Sequence, residues 1–330
     1  MMEPKIMFIR VSENCNAGCF MCDFAHSHGL YNISDEQYDW LLDSINKKNT
    51  YEMIRFTGGE PLLHPKIIDF IKKGKEQGYE TSIITNGYLL SAMAEKIANS
   101  GLDQIIISID GSVPEIHDKL RGLPNGLEKI KSGIKKIKEI NPNIVLRANT
   151  VVSELNIRDL CNIYSMLDDL SFNSWALIPI RPTNDPNTKW NIENLEINKK
   201  IYKMFLKEQS KHPKIELLGY STNWAGIKEE DIEKTFKNEY RVMPKDKCYL
   251  VDLVRFYIPD KNLIIPCNCA AHRIHQIETE YTKETDIYSK ANIMADWLKD
   301  NGYNHCSGCE PLNAYLAENP KILKKGLFKY

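Results

Sequence analysis

The chain has 330 residues and a mass of 38.1 kDa, room for one large α/β domain with a smaller appendage or for two medium domains. Apolar residues at 42% and charged residues at 26% sit near the globular average, and 43 Lys+Arg against 44 Asp+Glu leave a net charge of −1, so neither wholesale disorder nor a basic nucleic-acid binder fits. No apolar run approaches the roughly 18–20 residues of a membrane span, and the start, MMEPKIMFIRVS, lacks a signal peptide's apolar core; the expectation is a cytoplasmic protein with no membrane or nucleic-acid partner.

In chain order, Ile/Val-rich runs predict strands at 5–11, 53–57, 81–85, 104–110, 144–151 and 174–180. Between them, apolar residues at helical spacing predict helices at 35–47, 65–77, 88–99, 126–140 and 157–170, with 193–210 after the sixth strand. Six βα units without a hairpin signal imply a parallel sheet covered by helices, doubly wound or a complete or partial barrel. The pattern then changes. A two-proline loop follows Arg181, residues 211–247 are mixed and polar, and Pro-Asp-Lys-Asn at 259–262 is turn chemistry between β-formers,. A helix is expected over 288–301. A domain boundary is expected near 235, giving domains 1–235 and 236–330.

The nine cysteines stand at 15, 19, 22, 161, 248, 267, 269, 306 and 309. A reducing compartment disfavours disulfides, so the clustering points to metal. Cys15, Cys19 and Cys22 follow directly on the first strand, at the C-terminal edge of a parallel sheet, where sites collect. Three thiolates on a short loop can hold three corners of a 4Fe–4S cube and leave one iron open. Zinc is the competing metal; it wants a fourth ligand, which His26 or His28 could supply. Both histidines also read as ordinary surface residues. Cys161 falls mid-helix at apolar spacing and reads as a core residue.

The order of short motifs resembles the radical S-adenosylmethionine superfamily. CxxxCxxC after strand one is joined by Thr57-Gly58-Gly59-Glu60-Pro61, Ile84-Thr85-Asn86-Gly87 and Ser108-Ile109-Asp110-Gly111, the last followed by His117-Asp118-Lys119-Leu120-Arg121-Gly122. The resemblance implies a partial (β/α)6 TIM-like barrel with a small C-terminal α+β domain. It implies S-adenosylmethionine chelated to the open iron. Gly58 and Gly59 would admit the methionyl amine, Glu60 would accept from its ammonium, and Asn86, Ser108 and Asp110 would lie by the ribose hydroxyls and methionyl end. A strand-end cap is the other role open to Ser108 and Asp110. The family's aromatic residue before the third cysteine is Met21 here, which can fill the same space near the adenine.

From Cys248 to Cys309 the sequence resembles the SPASM and twitch modules of some radical enzymes. The resemblance implies an auxiliary 4Fe–4S cluster on Cys248, Cys267, Cys306 and Cys309, with zinc as the alternative. Cys269 could replace Cys267, donate a hydrogen atom to substrate, or stand by. A single leftover thiol cannot hold a second auxiliary cluster, so the shorter twitch form fits better.

In layout the chain resembles carbohydrate-tailoring radical enzymes. It resembles the molybdopterin-precursor cyclases less, since those carry three auxiliary cysteines and a Gly-Gly tail. Only fourteen residues precede Cys15, so no in-chain peptide-recognition domain is expected, though a separate partner remains open. The expected reaction is a two-electron alcohol oxidation of a sugar, aminocyclitol or nucleoside-like substrate, with a flavodoxin or ferredoxin-type reductant. Radical epimerisation, decarboxylation and peptide maturation are the alternatives. Candidate substrate residues are Arg147, Asn149, Trp175 and Arg181, with Tyr88 at the barrel mouth; a solvated loop arginine is the plain alternative for Arg181.

Overall fold

A computed structural model describes residues 4–22, 31–180, 192–211, 214–218, 254–266 and 287–301. Nine strands form one sheet in the order β7-β6-β5-β4-β3-β2-β1-β8-β9. Strands β1 (Ile6–Ser12), β2 (Met53–Gly58), β3 (Glu80–Thr85), β4 (Gln104–Ser108), β5 (Val145–Val152) and β6 (Ser174–Pro179) are the six expected from sequence. All pair parallel with their neighbours, each reached through a helical crossover,. A short β7 (Glu216–Leu218), not expected, adds to β6 in parallel. The edges β7 and β9 do not pair with each other among the described residues, so the sheet is a barrel left open,.

The helices are α1 (Asp35–Lys48), α2 (Ile67–Glu76), α3 (Leu90–Ala98), α4 (Pro114–Arg121), α5 (Gly126–Ile140), α6 (Leu160–Asp169), α7 (Leu195–Lys211) and α8 (Ile287–Asn301). Local chemistry sets their ends. Helix α1 begins on a capping box, where the Gln37 N–H donates to Ser34 Oγ at 3.2 Å and the Ser34 N–H to Gln37 Oε1 at 3.0 Å,. Helix α4, missed in the sequence, starts on Pro114 and stops at Gly122 with φ +60°,.

Alternation along each strand separates two faces. Met7, Ile9 and Val11 of β1, Ile54 and Phe56 of β2, Ile105 and Ile107 of β4 and Leu146 and Ala148 of β5 join the helices in the main apolar core. The alternate positions face the hollow of the barrel, and they mix apolar side chains such as Phe8, Met53, Ile84 and Ile106 with polar ones. The polar ones include Arg10 and Ser12, Arg55 and Thr57, Ser82, Gln104 and Ser108, and Arg147 and Asn149. Hydrogen bonds from Arg55 to Ser82 Oγ at 3.1 Å and Gln104 Oε1 at 3.1 Å cross three strands on this inner face.

The hairpin expected around 259–262 forms as β8 (Val254–Ile258) and β9 (Leu263–Ile265), antiparallel, with Asn262 left-handed at φ 45° in its turn,. Strand β8 pairs parallel with β1, and Phe256 stacks on Phe8 at 4.5 Å between ring centroids. The hairpin therefore continues the barrel sheet. The boundary near 235 falls outside the described residues. No helix among the described residues is long and apolar enough to cross a membrane.

Two readings of single residues are corrected. Cys161 is exposed, not core; α6 buries its stripe through Leu160, Ile163 and Leu167, one position out of phase with it. Trp175 faces the helices, fully buried, with its indole N–H on Thr150 Oγ1 at 2.8 Å. It packs the shell and does not meet a substrate in the hollow.

Candidate functional site

The loop of Cys15, Cys19 and Cys22 leaves the C-terminal end of β1. Its three thiols pack in one small cluster with Ala17, Met21, Tyr88 and Leu123. Cys19 is buried, and Cys15 and Cys22 are half-buried. The Ala17 N–H donates to Cys15 Sγ at 3.5 Å, the kind of backbone contact that steadies a thiolate. Burial pushes the Cys15 and Cys19 thiols up; the Ala17 N–H works against this at Cys15, and the Arg121 guanidinium does so at Cys19. Metal binding would reverse that shift, since a coordinated thiol is deprotonated.

Among the described residues no three thiol, imidazole or carboxylate groups converge on one point as a single ion requires. A cube does not ask for that, because it takes its thiolates at separate corners. The donor set of three loop thiols therefore fits a 4Fe–4S cluster with an open iron. His26 and His28, the possible zinc ligands, lie outside the described residues.

Two clamps hold the loop. The first is the Gly-Gly-Glu segment at the end of β2. The Gly59 N–H donates to Ser12 O at 2.8 Å and the Glu60 N–H to Asn14 O at 2.8 Å. A Cβ on Gly58, at φ +147°, would stand 2.1 Å from Ser12 O, and one on Gly59 would stand 2.4 Å from Asn14 O. Glycine is needed here because the loop stem passes against the backbone, whatever else approaches it.

The second clamp is the end of α4. Gly18 N–H donates to Arg121 O at 3.0 Å. A Cβ on Gly122 would stand 2.9 Å from Gly18 Cα. Arg121 Nη1 lies 3.8 Å from Cys19 Sγ, and its Nε meets Asp110 Oδ2 at 2.6 Å. Sequence reasoning quoted the motif that contains Arg121 and Gly122 without giving either a role; the run of Arg and Gly past a short helix was the available signal.

Glu60 is buried at 1% exposure and knits the strand ends together. Its Oε1 accepts from the Leu62 N–H at 3.0 Å and the Thr85 hydroxyl at 2.7 Å, and its Oε2 from the Asn86 N–H at 2.7 Å. Burial pushes its carboxyl up to about 7 against those three donors. A carboxylate has about four acceptor positions, so one place on Oε2 remains for a ligand donor. Asn86 turns its Nδ2 to Asn16 Oδ1 at 2.8 Å, and its side chain also bonds the Cys15 thiol. Asn86 is thus joined to the cluster loop itself.

The Asp110 carboxylate, expected beside the methionyl or ribose end, faces inward at 0% exposure. Oδ1 accepts from the Val151 N–H at 2.8 Å and Oδ2 is held by Arg121. It reaches the site through Arg121. Ser108 and Asn149 are paired residues of β4 and β5 on the inner face, both partly exposed, and the Arg147 Nε donates to Asn149 Oδ1 at 3.0 Å. Met21 is partly buried against the thiols and the core. Tyr88 sits beside the loop with Lys129 Nζ 3.3 Å over its ring centroid,. Arg181, Cys248, Cys267, Cys269, Cys306 and Cys309 lie outside the described residues.

Comparison with known proteins agrees with this geometry. Residues 9–167 match the model of the Radical SAM superfamily. The chain is 31% identical over 216 residues to a probable GTP 3',8-cyclase of Methanococcus aeolicus, covering 61% of this chain and 68% of the relative. It is 23% identical over 217 residues to the AdoMet-dependent heme synthase of Methanosarcina barkeri, covering 65% of this chain and 61% of the relative. The fold matches Streptococcus suis SuiB bound to S-adenosylmethionine, with a TM-score of 0.65 at 14% identity over 92% of this chain and 67% of that one. A partial barrel whose first strand ends in three clustered thiols, clamped by a Gly-Gly-Glu turn, and this match through the sixth crossover helix agree: the chain belongs to the radical S-adenosylmethionine superfamily.

Proposed function

We propose that the chain oxidises an alcohol carbon of a small polar substrate, a sugar, aminocyclitol or nucleoside-like molecule, by two electrons. The observation that carries this reading is the set of polar side chains on the inner face of β1, β4 and β5. Arg10, Ser108, Arg147 and Asn149 supply hydrogen-bonding groups there, where a core strand would place apolar ones,. Arg10 is held 4.0 Å from Glu13 at the root of the loop. The similarity to GTP cyclases supports a nucleoside-like substrate within the same class.

When bound at Cys15, Cys19 and Cys22, the cluster and S-adenosylmethionine supply a 5′-deoxyadenosyl radical that takes a hydrogen atom from substrate. Gly58, Gly59 and the free acceptor place on Glu60 Oε2 would receive the methionyl amine, with Met21 near the adenine. Ser108 and Asn149 would orient the substrate hydroxyls, and Arg181, which follows β6 in the sequence, would anchor an acidic group. The hydroxyl proton passes to a base. Cys248, Cys267 (or Cys269), Cys306 and Cys309 would hold an auxiliary cluster, which would supply an acceptor for the remaining electron, and the product would be a ketone. A flavodoxin or ferredoxin-type protein would supply the priming electron.

A Cys306→Ala/Cys309→Ala variant tests this. It should keep S-adenosylmethionine cleavage, drop from about eight to about four irons per chain, as two four-iron clusters require, and lose ketone product. Normal ketone formation without the second cluster would remove the electron-acceptor role from Cys306 and Cys309, and a parent chain that consumes substrate without forming ketone would leave redox-neutral epimerisation or decarboxylation as the better reading. Peptide maturation is the second reading. It is favoured by likeness to SuiB, solved also with its precursor peptide SuiA, at a TM-score of 0.63 over 92% of this chain. Deoxyadenosine formed only when a peptide is supplied would select it.

A further inference from the structure

Arg121 is 102 residues from Cys19 in sequence and touches it twice. Its carbonyl accepts from the Cys19 thiol at 3.7 Å, and its Nη1 lies 3.8 Å from the same sulfur. Once Cys19 is a thiolate, the S–H donor is gone and Nη1 is left as the donor to sulfur. The other edge of the guanidinium is fixed, with Nε 2.6 Å from Asp110 Oδ2 and side-chain exposures of 11% and 0%. Asp110 is itself held from behind by the Val151 N–H. The order Val151–Asp110–Arg121–Cys19 runs from the backbone of β5 to the loop, with the positive group nearest the sulfur. An arginine guanidinium does not deprotonate in a protein, and this one is nearly buried against the Asp110 carboxylate. The guanidinium therefore stays charged while screened from water, where its field is strong.

Hydrogen bonds to cluster sulfurs and nearby charge are the protein's means of setting an iron–sulfur potential. Reduction adds one negative charge to the cluster. A fixed positive group at one ligand stabilises that state, and its removal makes reduction harder. We propose that Arg121, oriented by Asp110, is a positioning residue for the radical cluster that holds Cys19 and raises the cluster's reduction potential. The assignment rests on Cys15, Cys19 and Cys22 being the cluster ligands. The Gly18–Gly122 backbone contact fixes the distance between loop and helix at which this works. Lysine could not replace Arg121 fully, since a single ammonium cannot present one edge to a carboxylate and another to a sulfur.

The test is a redox titration of the reconstituted full chain, following by electron paramagnetic resonance the signal that changes when S-adenosylmethionine is added. That change marks the open-iron cluster. Arg121→Met should lower the reduced-to-oxidised ratio at a given potential about tenfold, a shift of about 59 mV downward for one electron. Asp110→Asn should move the potential upward, because the charge that offsets Arg121 is removed. Arg121→Lys should fall between parent and Arg121→Met. Loss of packing alone would not drive two variants in opposite directions. If Arg121→Met fails to hold iron, the Arg121→Lys and Asp110→Asn shifts still decide, one down and one up. The inference is overturned if those two move the same way, or if neither ratio changes by as much as threefold. If the parent shows no signal responsive to S-adenosylmethionine, the ligand assignment fails instead, and that result stands apart from an unmoved potential.

Discussion

Gly59→Ala is the sharpest probe of how the site is built. A Cβ at position 59 would stand 2.4 Å from Asn14 O, 2.7 Å from Glu13 O and 2.8 Å from Asn14 C, all backbone atoms of the cysteine-loop stem. Real Cβ atoms do not approach backbone this closely, so the stem must move away from β2. Moving it stretches the Gly59 N–H to Ser12 O and Glu60 N–H to Asn14 O bonds, both 2.8 Å. Overpacking costs roughly 1–3 kcal/mol and each of the two lost hydrogen bonds about 0.5–1.5 kcal/mol, so a loss of about 2–6 kcal/mol is expected. For a chain of this size, at about 1.4 °C per kcal/mol, that lowers the melting midpoint by roughly 3–9 °C. Gly78→Ala is the matched control. Gly78 has φ +89° and nothing within 4 Å of its added Cβ, so it carries backbone strain without contact, about 1–2 kcal/mol. Differential scanning calorimetry and iron content after anaerobic reconstitution should separate the two, with Gly59→Ala losing iron and Gly78→Ala keeping it. A Gly59→Ala chain that melts with the parent and holds full iron would refute the docking role.

The remaining predictions concern the thiols, Glu60 and the two faces of the barrel. Replacing Cys15, Cys19 and Cys22 together by Ala should abolish 5′-deoxyadenosine formation while any iron at the C-terminal cysteines is retained; cleavage at the parent rate would remove the assignment. Glu60 is raised from 4.5 to about 7 by burial, so between those values the unfolded chain releases a proton that the folded chain keeps. Its contribution to stability is therefore lost as pH rises from about 4.5 to about 7 and is level above, on the order of 3 kcal/mol in all. Urea titrations should show that slope in the parent and a flatter profile in Glu60→Gln. Equal slopes would mean that Glu60 is not the group responsible. Glu60→Gln should also weaken S-adenosylmethionine binding about 10- to 100-fold, as expected for a charge-assisted contact. Trp175→Phe should cost about 1–2 kcal/mol through the lost Thr150 bond and smaller ring, and leave deoxyadenosine yield unchanged. Asn149→Ala should leave the melting midpoint nearly unchanged and uncouple deoxyadenosine from product; a stability loss at Asn149 as large as at Trp175 would reverse the assignment of faces.

What sequence alone determined is local. Three thiols within eight residues of one another, and short Gly-, Asn- and Ser-containing motifs at successive strand ends, follow from spacing. In a parallel α/β fold every such end emerges on one side, so order along the chain already implies a shared site. The six strands and most crossover helices were legible for the same reason, because periods of 2 and 3.6 are written in neighbouring residues. Tertiary structure decided what those periods leave open. Helical spacing does not say which residue of a stripe faces in, and so Cys161 reads as core and lies exposed. Strand alternation does not say which face is the hollow, and so Trp175 reads as a substrate contact and lies in the shell. Pairing across long sequence separation is likewise invisible in a single chain. The 259–262 hairpin joins β1, Glu60 joins Thr85 and Asn86, and Arg121 meets Cys19. The motif glycines show the same division: their presence is plain in the sequence, but only the packed backbone of Ser12–Asn14 gives the steric reason that position 59 admits no side chain.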